Sequence, residues 1–247
     1  MTNRSPSGQT MPADFWQARL TGNASDLAYL AHQLARGDPR VVQDVDNYIL
    51  QSPDFEGLTD AEVVYRKAQE IMVRVNGAAR LSNPRYQSVK VTGVTHIDAH
   101  GQRHGFQFGS GSATGWIYAV ADLSVTSNAL TDLERWTALA EKHEPIRTVL
   151  RLVNGQGLDW TNLYRVYEIV RDDVGGKQVG KARIASNGWA TKSEIDLFVE
   201  TSCNPKAVGD AARHGVADRP PPPDPMVLPD AQALIRRIVA GWLSTKT

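Results

Sequence analysis

Val89-Lys90-Val91-Thr92-Gly93-Val94-Thr95-His96-Ile97 is the stretch on which the fold turns, because it reads as strand directly after a helical pattern. From Gln87 to Val125 the side chains alternate. Trp116, Tyr118 and Val120 face one way, Ile117, Ala119 and Ala121 the other, and Phe106 and Phe108 alternate too. A period of two belongs to a half-buried strand. Glycines at 93, 101, 105, 109, 111 and 115 punctuate the stretch. Three strands in an antiparallel meander are therefore predicted, with turns near Ala99-His100-Gly101 and Gly109-Ser110-Gly111.

Upstream the period changes. Thr59-Asp60-Ala61-Glu62 has the form of a capping box, and Val64, Ala68, Ile71, Met72, Val75 and Ala79 recur as one apolar stripe. Asn83-Pro84 forbids continuation of that helix. Further back, Phe15 to Leu20 is a short strand. A helix capped by Ser25 and Asp26 carries Leu27, Leu30, Ala31 and Leu34 as far as Gly37-Asp38-Pro39. Val41-Val42 and Tyr48-Ile49-Leu50 read as two more short strands. Residues 13–125 are thus expected to form a mixed α/β unit.

Downstream the pattern is helical. Thr131-Asp132-Leu133-Glu134 repeats the capping box ahead of Trp136, Leu139 and Ala140. Pro145 starts a helix bearing Ile146, Val149, Leu150 and Val153. Asp159 caps another with Leu163, Val166, Tyr167 and Val170 inside, and Tyr164, Arg165, Glu168, Arg171 and Asp172 on or near its polar side. Asp172 to Gly188 is polar and glycine-bearing and reads as a mobile loop or short hairpin. Thr191-Lys192-Ser193-Glu194 opens the next helix, through Ile195, Phe198 and Val199. The prolines from 220 to 225 must run extended, as a strap to a last helix with Leu234, Ile235, Ile238, Val239 and Trp242 on its apolar face. The expected fold is therefore α+β: the small unit with its meander, then a helical unit over 126–247. The short link between Val125 and Thr131 allows a shared core.

The composition narrows function. Lys plus Arg and Asp plus Glu are 27 each, and neither half of the 247-residue chain is a polycation, so duplex DNA is not an expected partner. No run reaches the roughly 18 apolar residues of a membrane span, and the polar start up to Asp14 lacks the apolar core of a signal peptide. A cytoplasmic protein is expected, with Cys203 as a lone buried thiol. No Walker loop and no His-Glu-x-x-His motif occurs. Gly111-Ser112-Ala113-Thr114-Gly115 lacks the strand-to-helix setting of a nucleophile elbow. His96, His100 and His104 are spaced by four, but the glycines at 101 and 105 refuse a helix. No metal and no cofactor is expected.

The chemistry that remains lies in the second half. His214 titrates near neutrality and can act as general acid or base, while the adjacent Arg213 can hold a phosphate or a developing negative charge. Tyr164, Glu168 and Asn204 are candidate binding groups beside them. The same residues also suit a structural knot, with Glu168 neutralising Arg213 and both side chains tied to carbonyls near Gly215.

From Phe15-Trp16 through Ala212-Arg213-His214-Gly215 to Trp242-Leu243 the chain resembles a family of bacterial proteins. Its helical half, over about 160–247, is similar to HEPN domains. That resemblance implies dimerisation and, in active members, metal-independent RNA cleavage by an Arg and a His, often in toxin and antiphage systems. Active members space that pair by four to six residues, whereas Arg213 and His214 are adjacent. Two functions are expected on these grounds. The first is a non-enzymatic binding or sensor module, of a defence or toxin-type system, acting through a homodimer or protein contact. The second is an RNA-cleaving phosphodiesterase using Arg213 and His214, with RNA or a nucleotide as ligand.

Overall fold

Trp16, Ala18 and Leu20 occupy alternate positions and are all buried, as a strand with one covered face requires. They lie on β1 (Phe15–Thr21) of a computed structural model that describes residues 14–44, 47–108, 131–155, 158–216 and 219–247. β1 is the centre of a five-stranded antiparallel sheet in which two hairpins flank it. β2 (Arg40–Asp44) and β3 (Asn47–Gln51) stand on one side, β4 (Lys90–Ile97) and β5 (Arg103–Gln107) on the other. The register sets Ala18 opposite both Leu50 and Val94, so the buried residues of three strands share one face. The α+β reading holds.

The sheet is rolled. Arg103 on one edge strand reaches Asp44 on the other at 3.1 Å. Across a flat sheet those strands would stand roughly 19 Å apart, beyond the reach of the two side chains.

Two helices connect these strands along the chain. α1 (Ala24–Gln33) buries Leu27 and Leu30, with Leu34 at its end. It starts two residues earlier than a cap at Ser25 implies: Asn23 is the cap residue, and its carbonyl takes the amides of Asp26 and Leu27. Ser25 and Asp26 therefore lie in the first turn. α2 (Ala61–Ser82) buries the whole expected stripe, from Val64 to Ala79. Its cap is Asp60 and not Thr59, because Asp60 Oδ1 accepts the free amides of Glu62 and Val63. The third meander strand, with Trp116, Tyr118 and Val120, and the Gly109 to Gly115 turns lie outside the described residues.

The chain divides into two units, the described parts of Met1–Met72 with Val89–Leu130, and Val73–Ser88 with Thr131–Thr247. The second is helical: α3 (Asp132–Lys142), α4 (Glu144–Asn154), α5 (Trp160–Ser186), α6 (Lys192–Cys203), α7 (Pro205–Val208) and α8 (Leu228–Ser244). Both capping boxes form, Thr131 with Glu134 and Thr191 with Glu194. Asp159 caps α5 through the Asn162 amide. In this unit Gly77 meets α4 so closely that a methyl group there would stand 2.2 Å from the Leu150 carbonyl oxygen.

The stretch from Asp172 to Gly188 is not a loop. α5 continues to Ser186 and is interrupted only at Gly175 and Gly176, the latter at φ 71°, which folds its last turns back. The backbone of Gly180 then lies against Arg171: a methyl group on Gly180 would stand 2.1 Å from the Arg171 carbonyl oxygen. Ile184 is fully buried, and Lys181 pairs with Asp196. A tight glycine reversal plus one deep apolar side chain replaces the missing stripe. No described helix is long and apolar enough to cross a membrane.

Candidate functional site

The last turn of α6 organises the region in which the candidate residues meet. Thr201 Oγ1 accepts the amide of Met226, and the Ser202 carbonyl accepts the amide of Arg213. Asn204 ends α6 and begins α7. Its side-chain oxygen accepts the Lys206 amide at 2.9 Å, while its amide nitrogen donates to the Arg219 carbonyl at 3.1 Å. Asn204 thus closes the neck of the excursion 205–219, and Thr201 fixes the far end of the proline strap. Both side chains are buried and committed. Asn204 serves chain closure here, and its amide is spent on backbone.

Arg213 reaches out of that excursion onto α5. Its guanidinium carbon lies 4.3 Å from the centroid of the Tyr164 ring, within cation–π range, and its Nη2 lies 3.3 Å from Glu168 Oε1. Tyr164 is buried against Tyr167 and Phe198. Burial pushes the Tyr164 phenol up, and the neighbouring Cys203 and Glu168 push the same way against Arg213. Tyr167, more deeply desolvated, is pushed up to about 12. Cys203 is half-buried, not fully enclosed as the sequence suggested, because it lies at the end of its helix.

Glu168 faces a second arginine. Arg171 Nη2 is 3.7 Å from Glu168 and 2.7 Å from Asp172. The polar side on which the sequence placed Arg171 is covered by the folded-back end of α5, so this residue is buried. Burial pulls its guanidinium down, but the Asp172 hydrogen bond and charge outweigh that and leave it above its ordinary value. The sequence carried one signal of this arrangement, the paired Gly175-Gly176 that permits the reversal.

His214, next to Arg213, is exposed, and so are Gly215 and Val216. The structure therefore brings Arg213, Glu168 and Tyr164 into contact, sets Asn204 at the base of the same excursion, and leaves His214 facing solvent.

The three histidines spaced by four belong to the first unit. His96 and His104 are register partners with ring centroids 6.1 Å apart, and His100 is on the turn between their strands. His96 lies on Trp16, while His104 Nε2 meets Asp98 Oδ2 at 3.1 Å. The His104 bond, with the Gln102 and His100 amides, holds the Asp98 carboxyl below its ordinary value. Among the described residues no group of three His, Cys, Asp or Glu side chains is placed to hold a metal ion.

Compared with known proteins, the chain matches no family model, no curated protein and no solved structure.

Proposed function

We propose that the protein is a non-enzymatic binding module whose contact surface is the Arg213 excursion of its helical unit. One observation carries this reading. Arg213 is held in place by Tyr164, Glu168 and the Ser202 carbonyl, while among the described residues no hydrogen bond orients the exposed ring of His214. A general acid or base works when it is held within hydrogen-bond reach of the reacting atom. A fixed arginine beside an exposed imidazole is suited to recognition.

The second reading is RNA cleavage by the same pair, supported by an arginine paired with Glu168 and a histidine next to it in the chain, although their adjacency departs from the four-to-six-residue spacing. Full-length protein incubated with labelled single-stranded RNA, with a nucleotide panel and without added metal separates the readings. The expected result is intact RNA, together with saturable retention of a ligand that Arg213→Ala abolishes. Cleavage that disappears in His214→Ala overturns the binding-module reading.

A further inference from the structure

We infer that the ligand of this surface carries a phosphoryl anion, received by Arg213, and that Glu168 holds the place of that anion when none is bound. The inference rests on the binding-module reading and adds to it the ligand class and an internal competitor.

Arg213 is positioned by contacts that leave its N–H groups unspent. Its backbone amide is tied to Ser202 at 2.9 Å, its planar face covers Tyr164, and Asn204 closes the excursion that carries it. A guanidinium has five N–H donors in a fixed fork. Among the described residues its only anionic contact is Glu168, an ion pair at 3.3 Å that does not have hydrogen-bond geometry. An arginine held over an aromatic ring with about a third of its side chain exposed (36%) is pre-organised for an oxyanion.

Glu168 is a weak holder of that position. Its carboxylate also faces Arg171, which has its better partner in Asp172 at 2.7 Å. Arg171 is therefore neutralised whether or not Glu168 stays with Arg213.

The competition selects the ligand class. A single carboxylate would replace Glu168 like for like and gain nothing, while paying the entropy of association. A phosphoryl group brings up to two charges and three acceptor oxygens. Two of those oxygens can meet the guanidinium fork at once. The other charges of the excursion, Lys206 and Arg219 against Asp210 and Asp218, cancel in number, so its net charge is that of Arg213.

The test follows the Arg213 side chain. In full-length protein labelled with 15N-arginine, the Arg213 Nε–Hε resonance, assigned by its loss in Arg213→Lys, is tracked during titration with inorganic phosphate at constant ionic strength. A saturable shift is expected, with no saturation for acetate over the same range. Glu168→Gln removes the competitor, a partly exposed ion pair, and should tighten phosphate binding by about two- to fivefold. Arg213→Lys should weaken binding read on the other arginine resonances. Adenosine monophosphate and a short single-stranded oligonucleotide then distinguish a free nucleotide from a polynucleotide as the source of the phosphoryl group. A shift that never saturates, or binding that Glu168→Gln leaves unchanged or weakens, overturns the inference. Failure here with ligand retention intact leaves the binding module standing; phosphate binding accompanied by RNA cleavage removes the module reading and keeps the anion site.

Discussion

Two arginines approach Glu168 from different regions, and they are used differently. Arg171 belongs to the folded-back helix: its side chain is 11% exposed, Asp172 holds it, and the Gly180 backbone covers it. Arg213 belongs to the neck-closed excursion and is 36% exposed, with Glu168 as its counter-charge. A charge sealed among its partners is structural, because removing either member leaves the other uncompensated. A charge at the surface with a shared partner costs little to redirect. The same carboxylate thus borders a fixed element and an available one.

The contrast breaks most visibly at Gly180. Gly180→Ala drives a methyl group into the Arg171 carbonyl, which is backbone and has nowhere to move. We expect loss of about 1–3 kcal/mol or more, or no folded protein, measured by chemical denaturation. Near-normal stability would mean that the two halves of α5 are not packed together. Arg171→Ala comes next, at about 1–3 kcal/mol, since it removes the side-chain stem packed against Gly180, while Asp172, exposed, stays solvated. Asn204→Ala should cost a similar or smaller amount, roughly 1–2 kcal/mol, for two bonds lost at a buried amide. It should also raise amide exchange across 205–219 but not across α6.

The Arg213 side should respond weakly. Arg213→Ala is expected to change stability by less than about 1 kcal/mol, as exposed ion pairs do. His214→Ala should stay within about 0.5 kcal/mol of the parent. A large stability loss in either variant would turn the excursion into a structural knot and erase the contrast.

Acid sharpens the comparison at the far end of the folded-back helix. Asp173 accepts from the Trp242 indole and from Lys246, and although burial raises its pKa these bonds outweigh it and hold the carboxyl below its ordinary value. A carboxyl lowered by folding contributes stability that is present above its unfolded pKa of about 3.9 and is lost as pH falls through the folded value. Asp173→Asn should therefore flatten the acid limb of the stability curve. An unchanged limb would place the acid-sensitive group elsewhere.

Much of the fold was legible because local rules and burial agree. The stripe from Val64 to Ala79, the two threonine capping boxes, Asp159 and the alternation in Phe15 to Leu20 each encode their element within a few residues. The caps at Asn23 and Asp60 were missed by two residues and by one, since neighbouring polar side chains compete for the same free amides. The end of α5 was missed for a deeper reason. Its packing depends on Gly180 and Ile184 meeting a preceding turn of the same helix, and a single buried isoleucine leaves no periodic signal. The pairing of Arg213 with Glu168 was legible as one of two alternatives, because opposite charges near a helix end suggest it. The stacking on Tyr164 and the second arginine were not, since both depend on where the excursion returns.

The neck at Asn204 has a consequence for how this surface can change. One buried side chain ties both ends of the excursion, and Ala211 and Arg213 tie its middle to α5 and α6, which leaves His214 to Val216 as an exposed tip. Lengthening such a segment costs only about 0.6 kcal/mol for each doubling. Residues around His214 to Val216 can therefore be lengthened, exchanged or grafted from another chain without rewriting the bundle. That tip is a cassette, and Asn204 is its socket.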